Sequence, residues 1–441
     1  MSPLAGPKPA IQPMPALETG PLPWLGAGRR LLAGPTDFFR EAREAHGDSY
    51  AVDAFGQRLF CVFSPEGVRR LYELPEREAS FGLATYELVF RHKMPPELLA
   101  GRRTRPHDLF KNPDVQTYLE RLEEAVALQL EELGGEGRFE CFGLARRLGY
   151  RLGLACWAGV EAAAPPRLER LIRAFDRLDS SESFVRPHTL FWSRATGRRA
   201  ERRAMAAIER EIGEILAVRR QRGTAPDDFL ARMEADWGDV DDPLERSAGV
   251  ARDVMLIQMG AQSNLYAALA WTLVQLLLHP ALLARVREGD DALLERSAYE
   301  AIRLAQRSIT LRKVLVPVEI DGGAQRYRLE PGVMLATMLS VTNPSAAPGL
   351  DRFDPDHYAG RRLADSVQLP ARELVSTFGH GRHSCPAQRF AITAIRVAIR
   401  RLLERYALEP GFSEAQPNPR QLGAVARAAR PCPVRYARMA G

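Results

Sequence analysis

Cysteine is scarce in this chain of 441 residues: Cys61, Cys141, Cys156, Cys385 and Cys432, with no CxxC pair among them. An odd, scattered set excludes a small disulfide scaffold, speaks against a structural zinc site and fits a reducing compartment, here read as the cytoplasm. Charge of one sign is also lacking in excess. A net charge of +6, with arginine spread along the whole chain, does not make the concentrated basic face that nucleic-acid binding needs. The N-terminal stretch MSPLAGPKPAIQPMPALETGPLPWLG is rich in proline and has no basic segment followed by an apolar one. No signal peptide and no membrane anchor are therefore expected, and residues 1–20 read as a disordered leader. Long uncharged runs are missing with one exception, Val254 to Leu278, where 25 residues carry no formal charge. Gln258, Gln262, Ser263, Asn264 and Gln275 interrupt that run, and helix-like segments flank it without a second span. It reads as a long helix through the centre of a soluble protein rather than a membrane span. There is no internal repeat.

What is present is a large apolar fraction, 46%, enough for a sizeable core. PTDFFREAREAHGD reads as a helix from Pro35 to Gly47, with Asp37 in the first turn where the dipole favours an acid. SYAVDAFGQRLFCVF alternates and turns at Phe55-Gly56-Gln57, which predicts a hairpin. From about Val115 to Leu294 helical periodicity dominates, broken at Gly134-Gly135, Ala164-Pro165-Pro166 and Asp241-Asp242-Pro243. Short strands return in VLVPVEIDGGAQRYRLEPGVMLATML, then an irregular run to Phe378 and one last helix.

The stretch FGHGRHSCPAQRF, residues 378–390, raises the functional question. Cys385 there has four competing readings: a metal ligand with His380 and His383, a nucleophile, an axial thiolate on haem iron, or an inert helix cap. Pro386 follows it, and Ala391, Ile395, Ala398 and Leu402 fall on one stripe, so Cys385 is expected at a helix N-terminus with Pro386 in the first helical position. Free N–H groups and the positive end of the dipole stabilise a thiolate at such a place. Gly379 and Gly381 would let the backbone approach a flat ligand, and Phe378 could cover the sulfur.

The pattern F-x-x-G-x-H-x-C-x-A, from Phe378 through Gly381, His383 and Cys385 to Ala387, resembles the haem-binding loop of the cytochrome P-450 family. The resemblance implies that Cys385 is the iron ligand, a thiolate that pushes electron density into the iron. It also implies that Phe378, Gly381 and Ala387 shape the loop, while His383 stands where most members send arginine to a haem propionate. H-x-x-H-x-C lacks a fourth zinc ligand at the usual spacing, and no base for a nucleophile can be assigned. A second piece is YEAIR, with Glu300 and Arg303 sharing a helix face. The family bonds this pair to a later arginine, and DRFDPDHY makes Arg352 that third member, although Asp351 and His357 depart from the commonest pattern. In SITLRKV, Arg312 opens a strand where the family directs an arginine to a propionate.

The central run is similar to the family's helix of oxygen activation, but its acid and threonine are missing: Ala261, Ser263 and Asn264 hold those places. Gln262, Ser263 and Asn264 are the candidate active-site groups, helix-to-helix hydrogen bonding being the alternative. AQSN, EAIR with SITLRKV, CPAQRFA and HGDSYAV are similar to the branch of sterol and oxysterol 7-alpha-hydroxylases and prostacyclin synthase. The resemblance implies a mainly α cytochrome P-450 fold, with residues 21–441 as one haem domain and a small β-rich region near the N-terminus. It also implies heme b and hydroxylation of an apolar, sterol-like or fatty substrate with dioxygen. Electrons would come from a separate ferredoxin- or flavodoxin-type donor docking near Arg389, Arg396, Arg400 and Arg401, and the chain is expected to act as a monomer. The rivals are a redox-independent isomerase, dehydratase or peroxygenase, and a haem-binding or sensing protein without turnover.

Overall fold

The computed structural model describes residues 11–12, 17–102, 104–111, 116–179, 188–223, 226–360 and 362–439; the leader expected over 1–20 falls mostly outside them. Helix α1 (Pro35–His46) begins at a proline, carries Asp37 in its first turn and buries Phe38, Phe39 and Ala42 on one side. Strands β1 (Ser49–Ala54) and β2 (Gln57–Val62) form the expected antiparallel hairpin. Phe55 (φ 53°) and Gly56 (φ 72°) are both left-handed, the twist a two-residue turn needs.

The helical body follows. After α2 (Gln116–Leu133) and strand β3 (Glu136–Glu140), the Glu140 carboxylate accepts a bond from the Gly143 N–H (2.7 Å) and starts α3 (Cys141–Trp157). Helix α3 is buried almost all round because it runs against the central helix; at Gly149 a Cβ would stand 3.0 Å from that of Tyr266. Helices α4 (Arg167–Leu178) and α5 (Arg199–Arg222) pack on this pair and are joined by Arg167 and Arg170 on Glu211. The long uncharged run lies within α6 (Pro243–Leu278), 36 residues or about 54 Å, started by Asp242 capping Leu244 N–H and ended ahead of Pro280. Among the described residues no single helix is long and apolar enough to cross a membrane, and α6 is buried for most of its length. Helix α7 (Asp291–Ala305), capped by Asp290, lies beside it.

Strand β4 (Ile309–Val314) leaves the end of α7 and pairs antiparallel with β5 (Met334–Met338), which pairs parallel with β2. The main sheet is thus built from both ends of the chain, an N-terminal hairpin completed by strands from the last third. Helix α8 (Gln388–Arg405) follows the cysteine loop. It begins two residues later than Pro386, and Cys385 sits in the turn before it, its carbonyl accepting from Gln388 N–H (3.3 Å). Strands β6 (Tyr406–Pro410) and β7 (Pro433–Arg438) complete a second, antiparallel sheet with β3. The fold is mainly α, as the sequence predicts, with its largest core cluster spanning α2 to α8 and separate clusters on the two faces of the main sheet.

Candidate active site

The cysteine loop is a tight turn closed on itself. Cys385 N–H donates to Phe378 O (2.7 Å), and Gly379 is left-handed (φ 79°) with the carbonyl of His383 only 2.3 Å from where a Cβ would be. Any side chain at 379 would open the loop. Gly381 is also left-handed, at φ 58°, with free space beside it. Burial raises the Cys385 thiol above its ordinary range, and only the Ala387 backbone N–H works the other way. Such a thiol ionises only against a strong positive charge. Both nearby imidazoles are otherwise engaged, His380 Nε2 with Val375 O (2.9 Å) and His383 Nε2 with Arg312, which disposes of the nucleophile reading. Among the described residues no group of three His, Cys, Asp or Glu side chains could hold a metal ion, which disposes of the zinc reading.

In its middle, α6 interrupts its burial. Leu256, Met259, Gly260, Ala261 and Asn264 are accessible at helical spacing, and a Cβ on Gly260 would meet nothing within 4 Å. Close-packed interiors do not leave the middle of a core helix open, so this stripe faces a space meant for a ligand. At the edge, Arg312 is 1% exposed and gives two N–H groups to Leu74 O (2.5 Å) and Ala79 O (2.7 Å). Its other side meets His383, and its nearest carboxylate, Glu76, is 4.0 Å away. Burial, more than the guanidinium beside it, lowers the His383 pKa, and burial lowers that of Arg312 as well. A buried guanidinium beside an imidazole suits a carboxylate, and Glu76, 3.5 Å from His383 Nε2, marks the side from which one can approach. A thiol held in a closed loop, an accessible helix face and the Arg312–His383 pair fit the haem that the resemblance implies.

The three polar residues of the central helix separate. Gln262 turns away from the open stripe, its Oε1 accepting from Tyr150 (3.2 Å) and its amide N–H donating to Phe175 O (3.5 Å), so it takes the helix-to-helix role. Ser263 is buried on the packed side. Asn264 lies on the stripe, with Nδ2 donating to Gly260 O (3.3 Å) and Oδ1 accepting from Val425 N–H (3.0 Å).

Behind the loop, Glu300 and Arg303 are each 0% exposed and joined twice, at 2.6 and 2.7 Å. Their third member is not the Arg352 side chain. Arg352 is exposed and contributes only its carbonyl to Arg303 (3.4 Å), while His357 Nδ1 sits 2.9 Å from the Glu300 carboxylate. The one-turn helix that follows Asp354 aims 357 inward and leaves 352 on the rim. Asn343 was not singled out by spacing or composition, yet it carries the scaffold onward. It accepts Arg303 N–H through its carbonyl (2.9 Å), and its amide donates to Ser376 O (3.1 Å) and accepts from Ser376 N–H (2.8 Å). Ser376 Oγ then accepts from Gly379 N–H (3.1 Å), and Phe378 stands edge-on to Tyr299 at 5.7 Å.

The family model described as Cytochrome P450 matches residues 169–432. The chain is 23% identical over 426 residues to the human 24-hydroxycholesterol 7-alpha-hydroxylase, covering 89% of this chain and 87% of that protein. It is 30% identical over 189 residues to a sterol 14alpha-demethylase of Mycolicibacterium vanbaalenii, covering 38% and 40%. The cyanobacterial CYP120A1, solved with retinoic acid bound, shares the fold at TM-score 0.74 and 20% identity over 97% of this chain and 100% of that one. This chain belongs to the cytochrome P450 family: it is an oxidoreductase of the monooxygenase type, and its haem iron takes a cysteine thiolate as axial ligand.

Proposed function

We propose that the protein hydroxylates a small apolar molecule of sterol-like or fatty character, with Cys385 as the axial ligand and Arg312 with His383 as the propionate contacts. The observation that carries this reading is the accessible apolar stripe of α6, Leu256, Met259, Gly260 and Ala261, in the middle of a helix whose neighbouring positions are buried. When bound, the haem supplies oxygen activation, the thiolate favouring O–O cleavage. The chain's own residues do the rest. Phe378 and the closed 378–385 turn shield the sulfur from water, and the glycines allow close approach. The Glu300–Arg303–Asn343–Ser376 chain of bonds holds that turn in place. The stripe binds the substrate by burying its apolar surface. The sterol hydroxylase and demethylase relatives support the sterol-like class. We further read residues 21–441 as one domain, active as a monomer, cytoplasmic, and fed by a ferredoxin- or flavodoxin-type donor.

A second reading has its own support: the accessible stripe carries no titratable side chain, only the Asn264 amide. A redox-independent isomerase, dehydratase or peroxygenase needs no acid there. The deciding experiment reduces the purified protein under carbon monoxide, titrates it with sterols and fatty acids, and assays turnover with a donor or with peroxide. A red-shifted carbon monoxide band lost in Cys385→Ser, with donor-dependent hydroxylation, is the expected result. Turnover by peroxide with no response to the donor moves the assignment to the second reading, and the same band in Cys385→Ser ends both. Binding with no turnover under either condition makes it a haem-binding sensor.

A further inference from the structure

The turn over 421–427 lies beside the open stripe, 161 residues along the chain from Asn264. Its backbone is unusual: Gly423 (φ 94°) and Ala424 (φ 58°) are consecutive left-handed residues, and the second has a Cβ that makes this conformation unfavourable. Such a turn persists only where its surroundings hold it. On the side of α7 it is stitched to the backbone, Gly423 N–H to Arg307 O (2.8 Å), Arg307 N–H to Ala424 O (2.9 Å) and Ala426 N–H to Ala305 O (2.9 Å). From within, Gln421 ties it through Gly423 O (3.1 Å) and Val425 O (3.2 Å). On the side of the central helix, Asn264 Oδ1 accepts from Val425 N–H, while further along Trp271 Nε1–H donates to Ala426 O and Arg427 Nε–H donates to Tyr266 Oη. That leaves the Asn264 amide little freedom for other work, since Nδ2 turns back to Gly260 O.

We infer that Asn264 is a specificity-determining positioning residue: it clamps the 422–425 turn to the central helix as a wall of the substrate pocket, and so sets which ligand shapes enter. Without it the Val425 N–H would be left buried with no acceptor, and the left-handed residues 423–424 would lose their central-helix tie while Trp271 and Tyr266 still held 426 and 427. Aspartate, with the same acceptor geometry, preserves the clamp; alanine and leucine do not.

The inference rests on the pocket reading above, so its test avoids the substrate. Haem-loaded wild type, Asn264→Ala, Asn264→Leu and Asn264→Asp are compared by hydrogen exchange resolved to peptides. They are also titrated with imidazole and with a bulky aryl-imidazole, both read by the iron's absorption shift. Expected is exchange about tenfold faster in 422–427 for alanine and leucine but not aspartate, with the 376–388 peptide unchanged. The ratio of the two azole dissociation constants should shift by about fivefold or more in the same two variants. Unchanged exchange in both overturns the clamp. Faster exchange with an unchanged azole ratio overturns the specificity role. A wild type that binds both azoles but hydroxylates no sterol removes the proposed substrate class and leaves the clamp standing.

Discussion

At the residue scale the Glu300 carboxylate is the most heavily used group behind the loop. It receives both arms of Arg303, itself at zero exposure, together with the His357 ring and the Asp354 N–H (3.2 Å). Removing it in Glu300→Ala strands a buried guanidinium, a loss of about 3–5 kcal/mol, seen as lower melting temperature and incomplete haem loading. Arg352→Ala should change stability by less than about 0.5 kcal/mol, because the Arg303 bond goes to a backbone carbonyl that alanine retains. Chemical denaturation of both variants checks the pair. A large loss in Arg352→Ala would mean that its guanidinium, not His357, is the third member.

At the element scale α4 and α5 are held together by a carboxylate whose charge matters. Glu211, 2% exposed, is pulled below the ordinary carboxylate range by its bond from Arg170, against the opposing effect of burial, and Arg167 adds to the pull. A depressed carboxyl contributes stability that is present above its unfolded value of about 4.5 and is lost as pH falls through the folded one. Glu211→Gln should therefore cost about 1.5–3 kcal/mol near neutral pH and flatten the acid limb of the stability curve below 4.5. Melting curves of the two proteins from neutral to acid pH measure this. Parallel curves would mean that Arg170 and Arg167 add nothing beyond ordinary surface pairing.

At the scale of the whole molecule, the arginines of α8 divide in two. Arg396 pairs with Glu295 (3.1 Å), Arg400 with Asp291 (2.5 Å) and Arg401 with Glu123 (2.8 Å), so these three tie α8 to α7 and α2 rather than offering free charge. We propose instead that a donor would meet exposed neighbours of the cysteine, Arg382 and Arg389, which make no ion pair among the described residues. Charge reversal at Arg382 and Arg389 should slow reduction by an acidic donor severalfold at low salt, fading as the screening length shortens from about 10 Å. Reversal at Arg396 and Arg400 should instead lower the melting temperature. Stopped-flow reduction and thermal melts separate the two sets, and donor kinetics unchanged by the first pair would place docking on another face.

The local parts of this protein were legible in its sequence. Pro35 and Gly47 bracket α1, Phe55-Gly56 turns the hairpin, Asp242-Pro243 starts the central helix, and the glycines around Cys385 mark a loop that must bend where side chains cannot. Each of these is decided within a few residues by backbone stereochemistry, capping and apolar period. The family likeness lay in the same short stretches. What spacing could not decide was direction. Gln262, Ser263 and Asn264 are adjacent, yet helical geometry turns the first two into packed surfaces and only the third toward the ligand space. The choice of His357 over Arg352 hangs on a single turn of helix, and the Asn343 bridge joins segments 33 to 40 residues apart. The carboxylates that occupy Arg396, Arg400 and Arg401 come from 101 to 278 residues away. Partners that distant meet only when the helices pack, so a side chain's chemistry was readable from its type while its use was settled by the tertiary fold.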